Sequence, residues 1–298
     1  MLEYIFGIIL GILEEGFLYG IMALGVYITY KILDFPDLSV DGTFPLGGAV
    51  TAILIVLGVN PFLTLLISFV AGALAGVVTG FIHVRFKVRD LLSGIIVMTA
   101  LYSINLRIAG KSNVSIFSQP SIFDNNLLDR IPDSIRKFTV VIILGLITLV
   151  MKLLLDFYLK TKSGFLLRAV GDNQVLVTSL AKDQGKVKII GLALANGFVA
   201  LAGCIYTQKN GYFEISMGTG TIVIGLASVI IGINIFKNLT FVKATTAVIL
   251  GSIIYKACVA SAISLGMVPS DLRLVTSILF LAILILSYER KRRIKQHA

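Results

Sequence analysis

The sequence predicts an all-α membrane protein, a bundle of about 8–10 transmembrane helices forming one domain over residues 1–298. Hydrophobic residues make up 57% of the chain and charged residues 14%, and a mean hydropathy of +0.95 excludes an ordinary soluble domain. Several apolar runs reach the roughly 20 residues that cross a bilayer. Lys and Arg collect in alternate connections between these runs, which is typical of a polytopic membrane protein.

The first two helices are predicted around an interruption. Residues 2–30 form an apolar run containing Glu14 and Glu15, so either one helix carries two acids at depth or an interfacial helix ends there. The segment 31–48 holds three Asp and two Pro, and Pro disfavours helix in the residue before it. Irregular backbone at membrane depth must be buried in protein or line a water-filled cavity. We therefore expect a broken second helix that starts partly inside the membrane, within 46–59.

Seven further spans are predicted, at 61–83, 91–109, 138–158, 189–207, 222–236, 243–266 and 272–288. Residues 110–137 form a loop outside the membrane, and its IPDSI stretch is expected to start a short interfacial helix. The Gly- and Ala-rich stretches 71–80 and 191–203 predict close helix packing, because small side chains let two backbones approach. Cys204 and Cys258 fall within apolar runs and are expected to be buried.

The basic residues predict the orientation of the bundle. Of 26 Lys and Arg, 16 fall in the connections on one side and the tail, and 7 on the other side. The positive-inside rule makes the richer side cytoplasmic, so the chain is expected to be a multi-pass protein of the cell membrane with a cytoplasmic C-terminus. Nine crossings would place the N-terminus outside, a count that depends on residues 1–48. The net charge of +10 is then an orientation signal, and nucleic acid is not an expected partner.

The polar stretch 165–188 lies between two apolar runs and has the signals of a short helix. Asp172 or Asn173 is its predicted N-cap, and Gly185 its predicted stop. Between them, apolar residues return at helical spacing at Val175, Leu176, Leu180 and Ala181. A helix this short is marginal alone in water, so we expect it to dock on another protein. The alternative is an ordinary solvated connection.

Two groups of polar residues fall at membrane depth. The first comprises Glu14, Glu15 and Lys256, in which Lys256 is predicted to pair with one of the glutamates and hold two helices together. The alternative is that these side chains snorkel to the interface or lie less deep in the membrane than the spans suggest. The second comprises Asp37, Ser39, Asp41 and Thr43. These four are candidates to line a substrate path, with a structural kink that satisfies freed backbone amides as the alternative.

Residues for metal or covalent chemistry are scarce in this sequence. The two His residues have no ligand partner at metal spacing, so we expect no metal site. Residues 109–113 read AGKSN, like the end of a phosphate-binding loop, but Asn105 stands where that motif requires Gly. We therefore expect a chain that is not an enzyme and binds no cofactor of its own.

Several motifs together resemble a known family. They are GFLYGIMALG at 16–25, DLSVDG at 37–42, VGDNQ at 170–174, LALANGFVALAG at 192–203 and ASVIIG at 227–232. In this order the chain resembles the permease subunits of ATP-binding-cassette importers, in the group containing branched-chain amino acid, ribose and nucleoside permeases. Asp41 stands where many members have Gly. The LDFPDLSVDGTF variant is most similar to a subgroup linked to amino acid import, with aromatic amino acids among the candidates.

This resemblance implies partners and a role for the short helix. It implies a homodimer or pseudo-dimer of permeases, a cytoplasmic ATPase pair that binds ATP, and an external substrate-binding protein. The short helix would be the coupling helix that docks on the ATPase, with candidate contacts Gly171, Asp172, Asn173, Gln174, Leu176, Leu180 and Gly185. The alternatives are an ion-coupled secondary transporter, which would move solute without an ATPase, and a membrane enzyme or scaffold.

Overall fold

The computed structural model describes residues 2–124, 133–172, 183–239 and 241–264, and further helical residues at 274, 276–278, 280–282 and 285. For 2–4 and 133–137 it describes the backbone alone. Within these ranges, seven helical segments are long and apolar enough to cross a membrane, and one apolar helix is shorter. The prediction of an all-α transmembrane bundle is confirmed. The predicted ninth span, 272–288, lies largely outside the described residues.

The helices are α1 (Leu2–Tyr27), α2 (Val40–Val56), α3 (Pro61–Phe86), α4 (Asp90–Ala109), α5 (Asp133–Tyr158), α6 (Lys162–Asp172), α7 (Gln184–Asn210), α8 (Thr221–Ile235) and α9 (Ala244–Ser264). A π-helical turn, Ile28–Ile32, continues α1, and a 3-10 turn, Ile215–Gly218, precedes α8. Two short strands, β1 (Asn113–Ser115) and β2 (Tyr212–Glu214), pair antiparallel with Val114 opposite Phe213.

The interruption near the N-terminus is narrower than the sequence suggests. Since α1 is one continuous helix through Glu14 and Glu15, the alternative of an interfacial helix ending there is wrong. Only residues 33–39 separate the π-helical turn from α2, and Pro45 lies inside α2. Proline removes the hydrogen bond that the carbonyl of Asp41 would accept within the helix, and Gly218 packs against that carbonyl instead.

The central helix of the bundle is α7, the most deeply buried of the candidate spans. It packs closely against α3 on one side and α2 on another. A β-carbon at Gly76 would collide with the carbonyl oxygen of Leu192, and one at Gly203 would collide with that of Phe44. The prediction that the stretches 71–80 and 191–203 are packing surfaces is confirmed, because only small residues allow these backbone contacts.

Two expectations for the peripheral segments are wrong. The described part of the IPDSI stretch, residues 133–135, belongs to α5 and not to a separate interfacial helix, because α5 runs without interruption from Asp133 to Tyr158. Cys204 is buried as expected, whereas Cys258 is exposed on α9. An apolar run has an outer as well as an inner face, and a single cysteine in it does not show which face it occupies.

Candidate functional site

The break between α1 and α2 is held by a buried polar cluster of Asp37, Ser39 and Asn196. The carboxylate of Asp37 accepts hydrogen bonds from the backbone N–H of Ser39 (2.9 Å) and from Nδ2 of Asn196 (2.8 Å). Ser39 Oγ donates to Asn196 Oδ1 over 3.2 Å, and Asn196 Nδ2 also donates to the carbonyl of Leu192 (3.1 Å). No side chain of the three is more than 1% exposed. This cluster ties the irregular segment to the central helix α7.

Asp41, in the first turn of α2, holds the beginning of α8. Its Oδ1 accepts hydrogen bonds from the N–H of Ile222 (2.8 Å) and Oγ1 of Thr221 (3.0 Å), and its Oδ2 accepts one from the N–H of Gly220 (2.9 Å). The first N–H groups of a helix have no partner within the helix, and a negative charge is favoured beside them. Asp41 therefore acts as an N-terminal cap supplied by a different helix.

The four residues named as a candidate substrate path separate in the structure. Asp37 and Ser39 belong to the buried cluster, and Thr43 donates to the carbonyl of Ser39 within α2 (3.0 Å). Their geometry is that of the structural alternative, in which polar side chains satisfy a kinked backbone. Only Asp41 among them borders open space.

That space is a cleft of about 460 Å³ between α2, α4 and the 3-10 turn. Its polar lining includes Asp41, Thr99, Tyr102, Asn105, Ser216 and Thr219. Of the lining residues in the described part of the chain, Asp41 is the one that carries a charge. The sequence analysis did not single out Thr99 or Tyr102. The available signal was the presence of hydroxyl side chains in the middle of the predicted span 91–109.

Asn105 adds an incomplete hydrogen-bonding pattern to this cleft. Its side chain is 1% exposed, and its Nδ2 donates to the carbonyl of Gly42 over 3.0 Å. Its Oδ1 has no hydrogen-bond partner in the part of the chain that the structure describes. Because a buried acceptor normally has a partner, this atom marks a place where a donor is missing.

A second polar cluster joins α1, α7 and α9 through charged groups. Lys209 Nζ lies 3.0 Å from Glu14 Oε2 and 2.9 Å from Glu15 Oε1, and Lys256 Nζ lies 3.3 Å from Glu15 Oε2. The Lys256 ammonium also lies 3.7 Å from the centre of the Tyr19 ring. The predicted contact of Lys256 with a glutamate is thus present as a contact with Glu15. Lys209 was missed because it ends an apolar run, where a lysine usually faces solvent.

The segment predicted as a coupling helix is only partly described. Asp172 lies in the last turn of α6 and does not cap the start of a helix there, and a β-carbon at Gly171 would collide with the carbonyl oxygen of Ile32. Gly185 does not stop a helix: it lies in the first turn of α7, whose N-cap is Asp183. Asp183 Oδ1 accepts from the N–H of Gly185 over 2.9 Å, which starts the helix earlier than the predicted 189. The other candidates, Asn173, Gln174, Leu176 and Leu180, lie outside the described residues.

Comparison with known proteins yields a family and several relatives. The family model described as branched-chain amino acid transport system / permease component matches residues 8–288. A tyrosine transport system permease protein of Clostridioides difficile is 45% identical over 93% of this chain and 90% of its own length. A ribose import permease protein of Escherichia coli is 26% identical over 74% of this chain and 67% of its own. A probable branched-chain amino acid transport permease protein of Methanocaldococcus jannaschii is 26% identical over 72% of this chain and 70% of its own. No solved structure matches significantly.

Proposed function

This chain belongs to the family of permease components of branched-chain amino acid transport systems, and from that premise we propose that it is the membrane subunit of an ATP-driven amino acid importer. Its solute is an amino acid, with tyrosine and other aromatic amino acids as the first candidates. Its partners are a cytoplasmic ATPase that binds ATP, an external substrate-binding protein and a second copy of the chain. The C-terminal tail lies in the cytoplasm.

The observation that carries the choice of solute is the 45% identity with the tyrosine transport permease of Clostridioides difficile over 93% of this chain. The ribose and branched-chain amino acid permeases are 26% identical to it. The cleft beside α4 is consistent with this choice, because its volume falls in the range of small-molecule sites and its lining mixes hydroxyl groups with apolar side chains.

The packing suggests how an ATPase would act on the bundle. The helix α6 follows α5 in the chain, and Gly171 brings it directly against the π-helical turn Ile28–Ile32. That turn leads into the break, whose Asp37 is bonded to α7 through Asn196. A displacement of α6 by the ATPase would therefore be transmitted through these contacts to both the break and the central helix α7. In this way ATP binding would shift the populations of two conformations of the bundle.

The test is solute uptake by proteoliposomes that contain the permease, its ATPase and its binding protein. We expect accumulation of labelled tyrosine that requires ATP, and none with an ATPase variant that binds but does not hydrolyse ATP. A permease carrying Leu176→Asp in the predicted coupling segment should lose both the ATPase and uptake. The control Leu57→Asp places the same change on a residue that is 72% exposed at the opposite end of α2 from the break, and should retain the ATPase.

The competing hypothesis of a secondary transporter gives the opposite pattern. The permease alone would then accumulate solute when an ion gradient is imposed, and neither ATP nor the ATPase would be needed. Uptake of ribose or leucine in place of tyrosine would retain the importer but overturn the choice of solute.

A further inference from the structure

The outer face of α4 differs from those of α3 and α5. On α3 and α5, exposed side chains in the middle of the span are mostly apolar, as contact with lipid requires; examples are Leu66, Val70 and Leu74 on α3, and Leu146, Leu149 and Leu153 on α5. On α4, by contrast, Thr99, Tyr102 and Ser103 are exposed near the middle of the helix. Hydroxyl groups at this depth indicate a face that meets water or polar ligand.

The cleft on this face favours a positive charge. Among the described residues that line it, Asp41 alone carries a charge, and none is Lys, Arg or His. The carboxylate is held in place by its three hydrogen bonds to the beginning of α8. These bonds satisfy part of its acceptor capacity, since an ionised carboxylate has about four lone-pair positions. A cation entering the cleft therefore meets a fixed negative group.

The same cleft lacks a hydrogen-bond donor at Asn105. The bond from Nδ2 to the carbonyl of Gly42 sets the orientation of the amide, which leaves Oδ1 as the atom without a partner among the described residues. An unsatisfied buried acceptor is costly, and Asn105 also lines the cleft. A donor carried by a molecule in the cleft would remove this deficit.

From these observations we infer that the cleft is a solute station on the transport path, in which the protonated amine of the solute is received by Asn105 Oδ1 and Asp41. An ammonium group fits because it carries three donors and no acceptor. The hydroxyl of Tyr102 can donate to the carboxylate of an amino acid, and Met98 and Pro45 offer an apolar surface to its side chain. This inference rests on the proposed function and adds the residues by which the permease itself selects a zwitterion.

The charge of the cleft can be measured by chemical labelling in the assembled importer. Cys204 and Cys258 are first replaced by Ala, and Thr99→Cys is introduced as the single thiol. A cationic methanethiosulfonate reagent should modify this thiol at least threefold faster than an anionic reagent of similar size, relative to their rates with free cysteine. Asp41→Asn should abolish that preference, and tyrosine-loaded binding protein with ATP should slow the labelling. The same thiol at Ser103, exposed on α4 but outside the lining, should show neither effect.

The role of Asn105 is tested by uptake. Asn105→Leu removes both amide polar atoms while keeping the number of side-chain heavy atoms, and should reduce ATP-dependent tyrosine uptake at least tenfold at saturating loaded binding protein. The matched control Ser103→Ala should transport at the wild-type rate. Co-purification of the Asn105→Leu permease with its ATPase excludes misfolding as the cause of the loss.

The outcomes separate this inference from the function on which it rests. Wild-type proteoliposomes that show no ATP-dependent amino acid uptake would refute the proposed importer. Wild-type uptake combined with full activity of Asn105→Leu, or with labelling of Thr99→Cys that shows no charge preference, would overturn the solute station and leave the importer standing.

Discussion

The two polar clusters of the bundle show different ways of holding carboxylates. The cluster at the break holds Asp37 with neutral donors, one from its own turn and one from Asn196, 159 residues away. The cluster of Glu14, Glu15, Lys209 and Lys256 uses two acids and two bases from three helices. Neutral donors suit the first site because they set the path of a broken backbone, whereas ion pairs suit the second because they join helices.

The two clusters also differ in redundancy. In the first, Asn196 bonds to Asp37, Ser39 and the carbonyl of Leu192, so its loss affects every member. In the second, Lys209 contacts both glutamates and Glu15 contacts both lysines. Removal of Glu14 or Lys256 from the second cluster therefore leaves Glu15 and Lys209 paired with each other, and we expect the two clusters to respond unequally to these single substitutions.

The largest effect is expected for Asn196→Leu, which leaves the buried Asp37 carboxylate without its side-chain donor. Loss of a partner from a buried charged group should destabilise the bundle by about 3 kcal/mol, or roughly 5–10 °C in the melting midpoint. Since the chain contains no Trp, the midpoint is best followed by the monodisperse fraction on size-exclusion chromatography after heating in detergent. Asn210→Leu is the control, because among the described residues the side chain of Asn210 bonds only to the carbonyl of Tyr206, near the end of α7. Equal shifts in the two variants would contradict a special role for the break cluster.

A smaller effect is expected for Lys256→Met in the charged cluster. Glu15 keeps Lys209 at 2.9 Å, so the loss should be about 1 kcal/mol instead of the 3–5 kcal/mol typical of an abandoned buried charge. The double variant with Glu15→Gln and Lys256→Met should lose less stability than the sum of the losses in the two single variants, because each single change already removes the same contact. Melting midpoints of the four proteins in this cycle give the coupling. Strict additivity would show that the contact between Glu15 and Lys256 contributes nothing to stability.

The smallest effect is expected for Lys186→Ala, which removes an ion pair at the surface. Lys186 Nζ lies 3.8 Å from Asp183 Oδ2, and their side chains are 80% and 56% exposed. Such pairs contribute about 0.5 kcal/mol or less and are screened by salt. The midpoint should therefore match wild type in 0.5 M NaCl. A shift as large as that of Lys256→Met would show that burial does not separate the two kinds of ion pair.

Much of the fold, but less of the candidate site, could be predicted from the sequence. The interruption before α2 was recognisable from Pro36 and Pro45, and the close contact of α3 with α7 from their Gly and Ala residues. The position of Gly185 was predicted wrongly because a glycine after a helical pattern resembles a helix end. The cap that decides the matter is Asp183, whose side chain begins α7. The local sequence permits a helix end at Gly185 and a helix start at Asp183, and the tertiary packing of α7 determines which of the two occurs.

The sequence by itself determined the class of fold, most of the spans and the position of the break. These properties depend on the length and composition of each apolar segment and on the positions of proline. The bilayer constrains each segment locally, so they can be read along the chain. Only the tertiary structure decided which polar groups meet. Asp41 caps a helix that begins 180 residues later, Lys209 joins Glu14 and Glu15, and the described residues offer no donor to the side-chain oxygen of Asn105 at the cleft. Such partners come from helices that are distant in sequence, so the packing of the bundle brings them together.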